Sequence, residues 1–244
     1  MKKLNIFYRL SDKGNVNERF IKINNRNCLE NFLREFSAEE IEIVADNVED
    51  ETMTWLSTYN FKKIHQTSLG NSGSCWFAYK LALNLQVDEY VYFVENDYVH
   101  RPNSRVVLLE GLSISDYVTL YDHRDKYIKD MNFLVRDASE KTRVYLTAST
   151  HWKKTNSTTM TFASRVSFLR KDQFFFKLFT IGVIKKGFPW LKIFQEGKAP
   201  HDFPLFLGLV MIKRRKLISP VPGYSTHGHK DYLSPLINWE KYLG

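Results

Sequence analysis

The chain has 244 residues, 43% of them hydrophobic and 25% charged, with a formal net charge of +8 and a pI near 9.3. The two cysteines, Cys28 and Cys75, are too few for a disulfide framework or a four-thiolate zinc site, and no run approaches the roughly 20 apolar residues of a membrane span. The positive balance attracts anions, whether nucleotides, anionic lipid surfaces or nucleic acid, and does not choose among them.

Leu4 to Leu10 is a β-prone run that ends at the loop signal Ser11-Asp12-Lys13-Gly14. Leu29, Phe32, Leu33 and Phe36 recur at helical spacing over 27–36. Ile41 to Ala45 predicts a second strand, closed by Asp46-Asn47, and Glu51 to Tyr59 a short helix. Ser72 to Leu85 is the clearest helix. Glu89 to Val94 reads Glu-Tyr-Val-Tyr-Phe-Val, the pattern of a strand buried on both faces, and stops at Glu95-Asn96-Asp97. In the second half, 117–120, 142–146 and 158–163 predict strands. Pro204 sits in the first turn of a predicted helix running to about Lys213, a position that suits a residue without an amide hydrogen. From Pro220 onward Pro, Gly and polar residues leave no room for a long element.

Strands and helices alternate through the first hundred residues, which implies a mostly parallel sheet covered by helices in a single α/β domain. Ligands of such sheets bind outside the carboxyl ends of the strands. The residues there are Arg9, Ser11 and Asp12, then Asp46 and Asn47, then Glu95 and Asp97. Glu95 and Asp97 stand two apart after a buried strand; in an extended segment they point to one side and offer hard oxygen ligands to Mg2+ or Mn2+. Asp46 and Ser11 equally suit turn capping. Asp202 equally suits a helix N-cap. Of the seven histidines only His227 and His229 lie close together in the chain. Trp152, in the polar stretch from His151 to Met160, is either a sugar-stacking face or a core aromatic. Phe174 to Phe194 mixes aromatics with lysines, as a helix on an anionic membrane does and as a buried helix with snorkelling lysines also does.

The apolar strand followed by Glu95-Asn96-Asp97 resembles the metal motif of GT-A-fold, family-2-like nucleotide-sugar glycosyltransferases in its Glu-x-Asp form. Gly70-Asn71-Ser72-Gly73 resembles that family's Asn-x-Gly segment opening the helix before the metal strand. His201-Asp202 resembles its Glu-Asp pair, and Thr226-His227-Gly228 its C-terminal metal histidine. The resemblance spans about residues 4–230, with His201 where the family has Glu. It implies a GT-A-like, Rossmann-related fold with a nucleotide-binding half (1–100) and an acceptor-binding half (101–244). The activity it implies is metal-dependent, inverting transfer from a nucleotide diphosphate-sugar, a UDP-sugar first, to a glycan or lipid-linked hydroxyl.

In that reading Asp97 and His227 hold Mn2+ or Mg2+, with His229 the alternative histidine. Asp202 is the general base. Arg9, Ser11, Asp46, Asn71, Gly73, Glu95, Asn96, Trp152 and Thr159 bind the donor. The cysteine usage and the lack of a signal-peptide-like run predict a cytoplasmic protein, with peripheral membrane contact through 174–194. Two other classes stand beside this one. A nucleotidyltransferase acting on a sugar phosphate would show a Gly-rich basic phosphate loop after the first strand, which Arg9 to Gly14 imitates poorly. A non-catalytic nucleic-acid-binding protein would have no use for acidic strand ends.

Overall fold

The computed structural model describes residues 2–13, 20, 22–132, 134–181 and 202–243. It divides into two compact units, each assembled from separated stretches of chain. The first comprises Met1–Lys13, Ala38–Glu95 and Asn156–Arg215, and the second Gly14–Ser37, Asn96–Thr155 and Lys216–Gly244.

The first unit is built on β1 (Leu4–Leu10), β2 (Ile41–Asp46), β3 (Lys63–Thr67), β4 (Tyr90–Glu95) and β9 (Phe162–Arg165). Their order is β3-β2-β1-β4-β9. The first four run parallel and β9 is antiparallel to β4. β1 has every residue buried, and β2 and β4 all but one, which is why their sequences read as continuous apolar runs. Helices α2 (Asp50–Leu56), α3 (Gly70–Leu83), α5 (Val166–Ile181) and α6 (Asp202–Met211) complete the unit. Tyr79 of α3 stacks on Phe176 of α5, and Phe176 and Phe162 meet Phe206 of α6. The expected α/β class, a mostly parallel sheet flanked by helices, is the one observed.

The second unit contains α1 (Asn25–Leu33), β5 (Tyr98–His100), α4 (Ser104–Ile114), β6 (Tyr117–Val118), β7 (Val144–Leu146), β8 (His151–Lys154), β10 (Leu217–Val221) and β11 (Ser225–His227). β10 pairs parallel with β6 and antiparallel with β8, and β7 closes the far side of β8. β5 and β11 form a separate two-stranded ribbon in which His227 faces Tyr98. Among the described residues no helix is long and apolar enough to cross a membrane.

Candidate functional site

Register brings Arg9 of β1 opposite Glu95 of β4. Arg9 is buried and its guanidinium must find acceptors there. Nη1 donates to Glu95 Oε1 at 3.2 Å, and Nη2 to the carbonyl of Asn71 at 3.0 Å as well as to the Asn71 side-chain oxygen. The strand ends are thereby tied to the first turn of α3. Cys75, one turn further along α3, is fully buried beside this group; burial pushes its thiol up to about 11, with Arg9 opposing and the charges of Glu95 and Asp202 reinforcing. Arg9, Asn71, Glu95 and Asp202 are thus gathered around one point of the first unit. Gly73 is needed for packing, since a Cβ there would lie 2.7 Å from Leu69 Cβ.

The chain turns at Asn96-Asp97, so the extended alternation expected to aim Glu95 and Asp97 to one side does not hold. Glu95 pairs with Arg9, and Asp97 takes a different partner, described below. Asn96 Nδ2 donates to Asn25 Oδ1 at 2.5 Å, which fixes the turn to α1.

Asp46 is also buried, and its carboxylate is fully engaged. Oδ1 accepts from Thr67 Oγ1 at 2.8 Å and Leu69 N at 2.6 Å; Oδ2 accepts from Gly70 N at 2.9 Å and Asn47 Nδ2 at 2.7 Å. A carboxylate has about four lone-pair sites, and these four donors fill them. Asp46 therefore clamps the β3–α3 connection, including Gly70 in the left-handed region at φ 72°. Ser11 likewise caps its own turn, accepting from Lys13 N at 3.2 Å.

Asp202 begins α6 and does the same for another loop. Oδ2 accepts from Ser157 Oγ at 2.8 Å and Thr158 N at 3.2 Å, and Oδ1 from Thr158 Oγ1 at 2.6 Å and Met160 N at 3.1 Å. Between these anchors Thr159 and Met160 both hold left-handed backbone, at φ 47° and 54°, a conformation that non-glycine residues adopt only under constraint. Asp202 supplies the constraint. In this structure its four hydrogen bonds all lie within the chain, and they clamp the loop that carries Thr159. His201 lies outside the described residues.

In the second unit the β5–β11 ribbon brings His227 to Asp97, with Nε2 3.2 Å from Asp97 Oδ2 and both side chains about one-fifth exposed. Gly228 permits this approach: a Cβ there would lie 2.7 Å from the Asp97 carbonyl oxygen and 2.7 Å from Ile23. His229 lies parallel to His227 at 6.3 Å, but its Nδ1 accepts from Asp231 N. Adjacent ligands of an octahedral Mg2+, at about 2.1 Å each, lie about 3 Å apart. The 3.2 Å Asp97–His227 contact has the length of an ordinary His–carboxylate hydrogen bond and is also compatible with that edge; Mg2+ is ordinarily held by one or two carboxylates with water and phosphate completing its shell. Among the described residues no three His, Cys, Asp or Glu side chains come together as a metal cage.

Trp152 is not a sugar platform. It is fully buried on β8, donates to Thr147 Oγ1 at 2.9 Å, and its ring fills the space that a Cβ on Gly111 of α4 would enter. Its neighbour Lys153 is buried too, 3.0 Å from Asp122 and 2.9 Å from Glu140.

Sequence reading missed the contribution of β3. An open cleft of about 610 Å³ in the first unit is lined by Asp12 and Lys13 after β1, Asn47 to Glu49 after β2, and Gln66, Thr67 and Ser68 at the end of β3. Gln66 and Thr67 belong to the polar run Lys-Ile-His-Gln-Thr, which carries little strand signal; the turn residues Ser68-Leu69-Gly70 were the available clue.

No family model matches the chain, and no curated protein does either. Solved structures do resemble it. The Staphylococcus aureus TarS fragment 1–349 is 15% identical over 70% of this chain with a TM-score of 0.43; the chain spans only 49% of that fragment. A putative nucleotide-diphospho-sugar transferase from Desulfovibrio desulfuricans G20 is 11% identical over 90% of this chain and 80% of its own, with a TM-score of 0.46. The 2-C-methyl-D-erythritol 4-phosphate cytidylyltransferase of Francisella tularensis is 12% identical over 98% and 96%, at 0.44. Likeness at this level assigns no reaction, and the fold class rests on the strand order itself.

Proposed function

We propose that the chain is a divalent-metal-dependent glycosyltransferase that moves a sugar from a nucleotide diphosphate donor, a UDP-sugar first, to a hydroxyl acceptor on a glycan or lipid-linked glycan. The observation that carries the proposal is the Asp97–His227 pair at ligand spacing, reached two residues after the buried strand β4. Asp97 and His227 would hold Mn2+ or Mg2+, which when bound supplies positive charge to the leaving diphosphate. The chain's own contribution is preorganisation. Arg9 ties the ends of β1 and β4 to α3, Gly228 lets β11 close on Asp97, and Asp202 fixes the loop that carries Thr159. The open cleft at the ends of β1, β2 and β3 offers a nucleoside the polar side chains of Asp12, Lys13 and Gln66.

Incubation with a panel of nucleotide sugars and Mn2+ tests the proposal. Release of nucleoside diphosphate that stops in EDTA supports it. Release of pyrophosphate from a nucleoside triphosphate and a sugar phosphate, with no turnover of any nucleotide sugar, assigns nucleotidyl transfer in its place.

A further inference from the structure

Helix α5 buries Val166, Leu169, Asp172, Phe176 and Thr180, a stripe at helical spacing, against the rest of the first unit. Its exposed side is mixed: Arg170, Lys171, Gln173 and Lys177 are exposed together with Phe174, 65% exposed, and Ile181, 40% exposed. Helix α6 repeats the pattern. Leu205, Phe206 and Leu209 are buried, whereas Met211 and Ile212, at and just past its end, are 69% and 71% exposed. The two helices run antiparallel. Arg215 makes a two-pronged contact with Asp172 at 2.7 and 2.9 Å, and Gly208 packs against the ring of Phe175. These contacts set Met211 and Ile212 level with the turn of α5 that carries Phe174.

The exposed charge on these two helical segments has one sign. Over 166–181 and 202–215 the only acidic residues are Asp172 and Asp202. Asp172 is buried against Arg215 and Asp202 is enclosed by the Ser157–Met160 loop. Arg170, Lys171, Lys177, Lys213 and Arg214 are all exposed. Exposed aliphatic and aromatic side chains on two helices whose exposed charges are all cationic are a surface suited to an anionic bilayer interface. There the apolar groups enter the acyl boundary and the cations meet the headgroups. A second copy of this face would bring like charges together, and a polyphosphate chain would leave Met211 and Ile212 in water. We propose that the exposed face of α5 and α6 docks on an anionic lipid surface. This holds whichever transfer the chain catalyses.

Co-sedimentation of the whole protein with phosphatidylcholine–phosphatidylglycerol (3:1) vesicles in 0.1 M NaCl tests it. Binding is expected, weaker on phosphatidylcholine alone and weaker in 0.5 M NaCl. Each cation lost contributes about fivefold, so Lys171→Gln with Lys177→Gln should lower the partition coefficient about 25-fold. Phe174→Ser with Met211→Ser should also lower it on the same vesicles. The control pair Lys63→Gln and Lys141→Gln removes equal charge from other exposed positions and should leave binding near wild type. All three variants substitute exposed residues, and unchanged melting temperatures verify their folding. The proposal is overturned if wild type does not bind the mixed vesicles, or if the control pair loses as much binding as the α5 pair. It is equally overturned if vesicle-free protein sediments as a dimer that Phe174→Ser with Met211→Ser dissociates, which would make this face a protein interface.

Discussion

Substituting Asp202→Asn separates a clamp from an ordinary helix cap. As a cap, Asn and Asp rank together and the change would cost little. In this structure each carboxylate oxygen accepts one backbone N–H, Oδ2 from Thr158 and Oδ1 from Met160. Whichever way an Asn amide turns, its NH2 therefore faces a backbone N–H. The hydroxyls of Ser157 and Thr158 can rotate to accept from the new amide, but the backbone donor cannot. One buried donor is left unsatisfied, at about 1–3 kcal/mol, and a charge-assisted bond is lost beside it, so the total is about 2–4 kcal/mol. For a chain of this size each kcal/mol lowers Tm by about 2–4 °C, and the expected drop is about 4–16 °C. Amide exchange at Met160 should accelerate first, because Met160 sits in left-handed backbone held by that bond. A variant that melts within about 1 °C of wild type with Met160 still protected would refute the clamp.

Three further outcomes follow from the same geometry. Lys153→Met takes the ammonium from buried Asp122, while Glu140 keeps Lys126 at 3.9 Å; leaving buried charge uncompensated costs about 3–5 kcal/mol, readable as a lower urea midpoint. Burial among Phe32 and Phe36 pushes His100 down to about 3. The unfolded chain therefore binds the extra proton between about pH 6.5 and 3, and stability present above pH 6.5 is lost as pH falls, by about 2 kcal/mol at pH 5. Unfolding curves at pH 8 and pH 5 should differ by that much less in His100→Leu than in wild type, and equal pH dependence in the two would count against it. Gly228→Ala should force the His227 loop off the Asp97 carbonyl and abolish metal-dependent turnover while circular dichroism stays native; retained metal-dependent turnover would contradict that placement.

What could be read from the sequence follows from burial. β1, β2 and β4 are buried parallel strands, and their apolar runs located them to within a residue or two. The helix expected from Ser72 begins at Gly70, because Asp46 caps its first amides from a distant strand. β3 and β8 were unreadable as strands: Lys-Ile-His-Gln-Thr and His-Trp-Lys-Lys carry polar side chains whose partners, such as Glu42 for His65 and Asp122 for Lys153, come from elsewhere in the chain. Acidic strand ends were legible as positions but not as roles. Nothing local indicates that Thr67, Leu69 and Gly70 saturate Asp46, or that Ser157 to Met160 saturate Asp202, since those donors lie 21–45 residues away. Asp97 and His227, 130 positions apart in the chain, are brought together by the β5–β11 ribbon. The lipid-facing expectation for 174–194 falls partly outside the described residues, which carry it only as far as Ile181.

The account turns on Asp97 and His227, and metal binding tests them without any assumption about the acceptor. Mn2+ should be titrated calorimetrically into the protein in the presence of UDP, with wild type, Asp97→Ala and His227→Ala compared at one pH. The predicted result is a single Mn2+ per chain in wild type, with affinity at least about tenfold weaker in each variant, equivalent to about 1.4 kcal/mol, and melting temperatures held. Equal Mn2+ affinity in all three proteins, or none in wild type with UDP present, would contradict it.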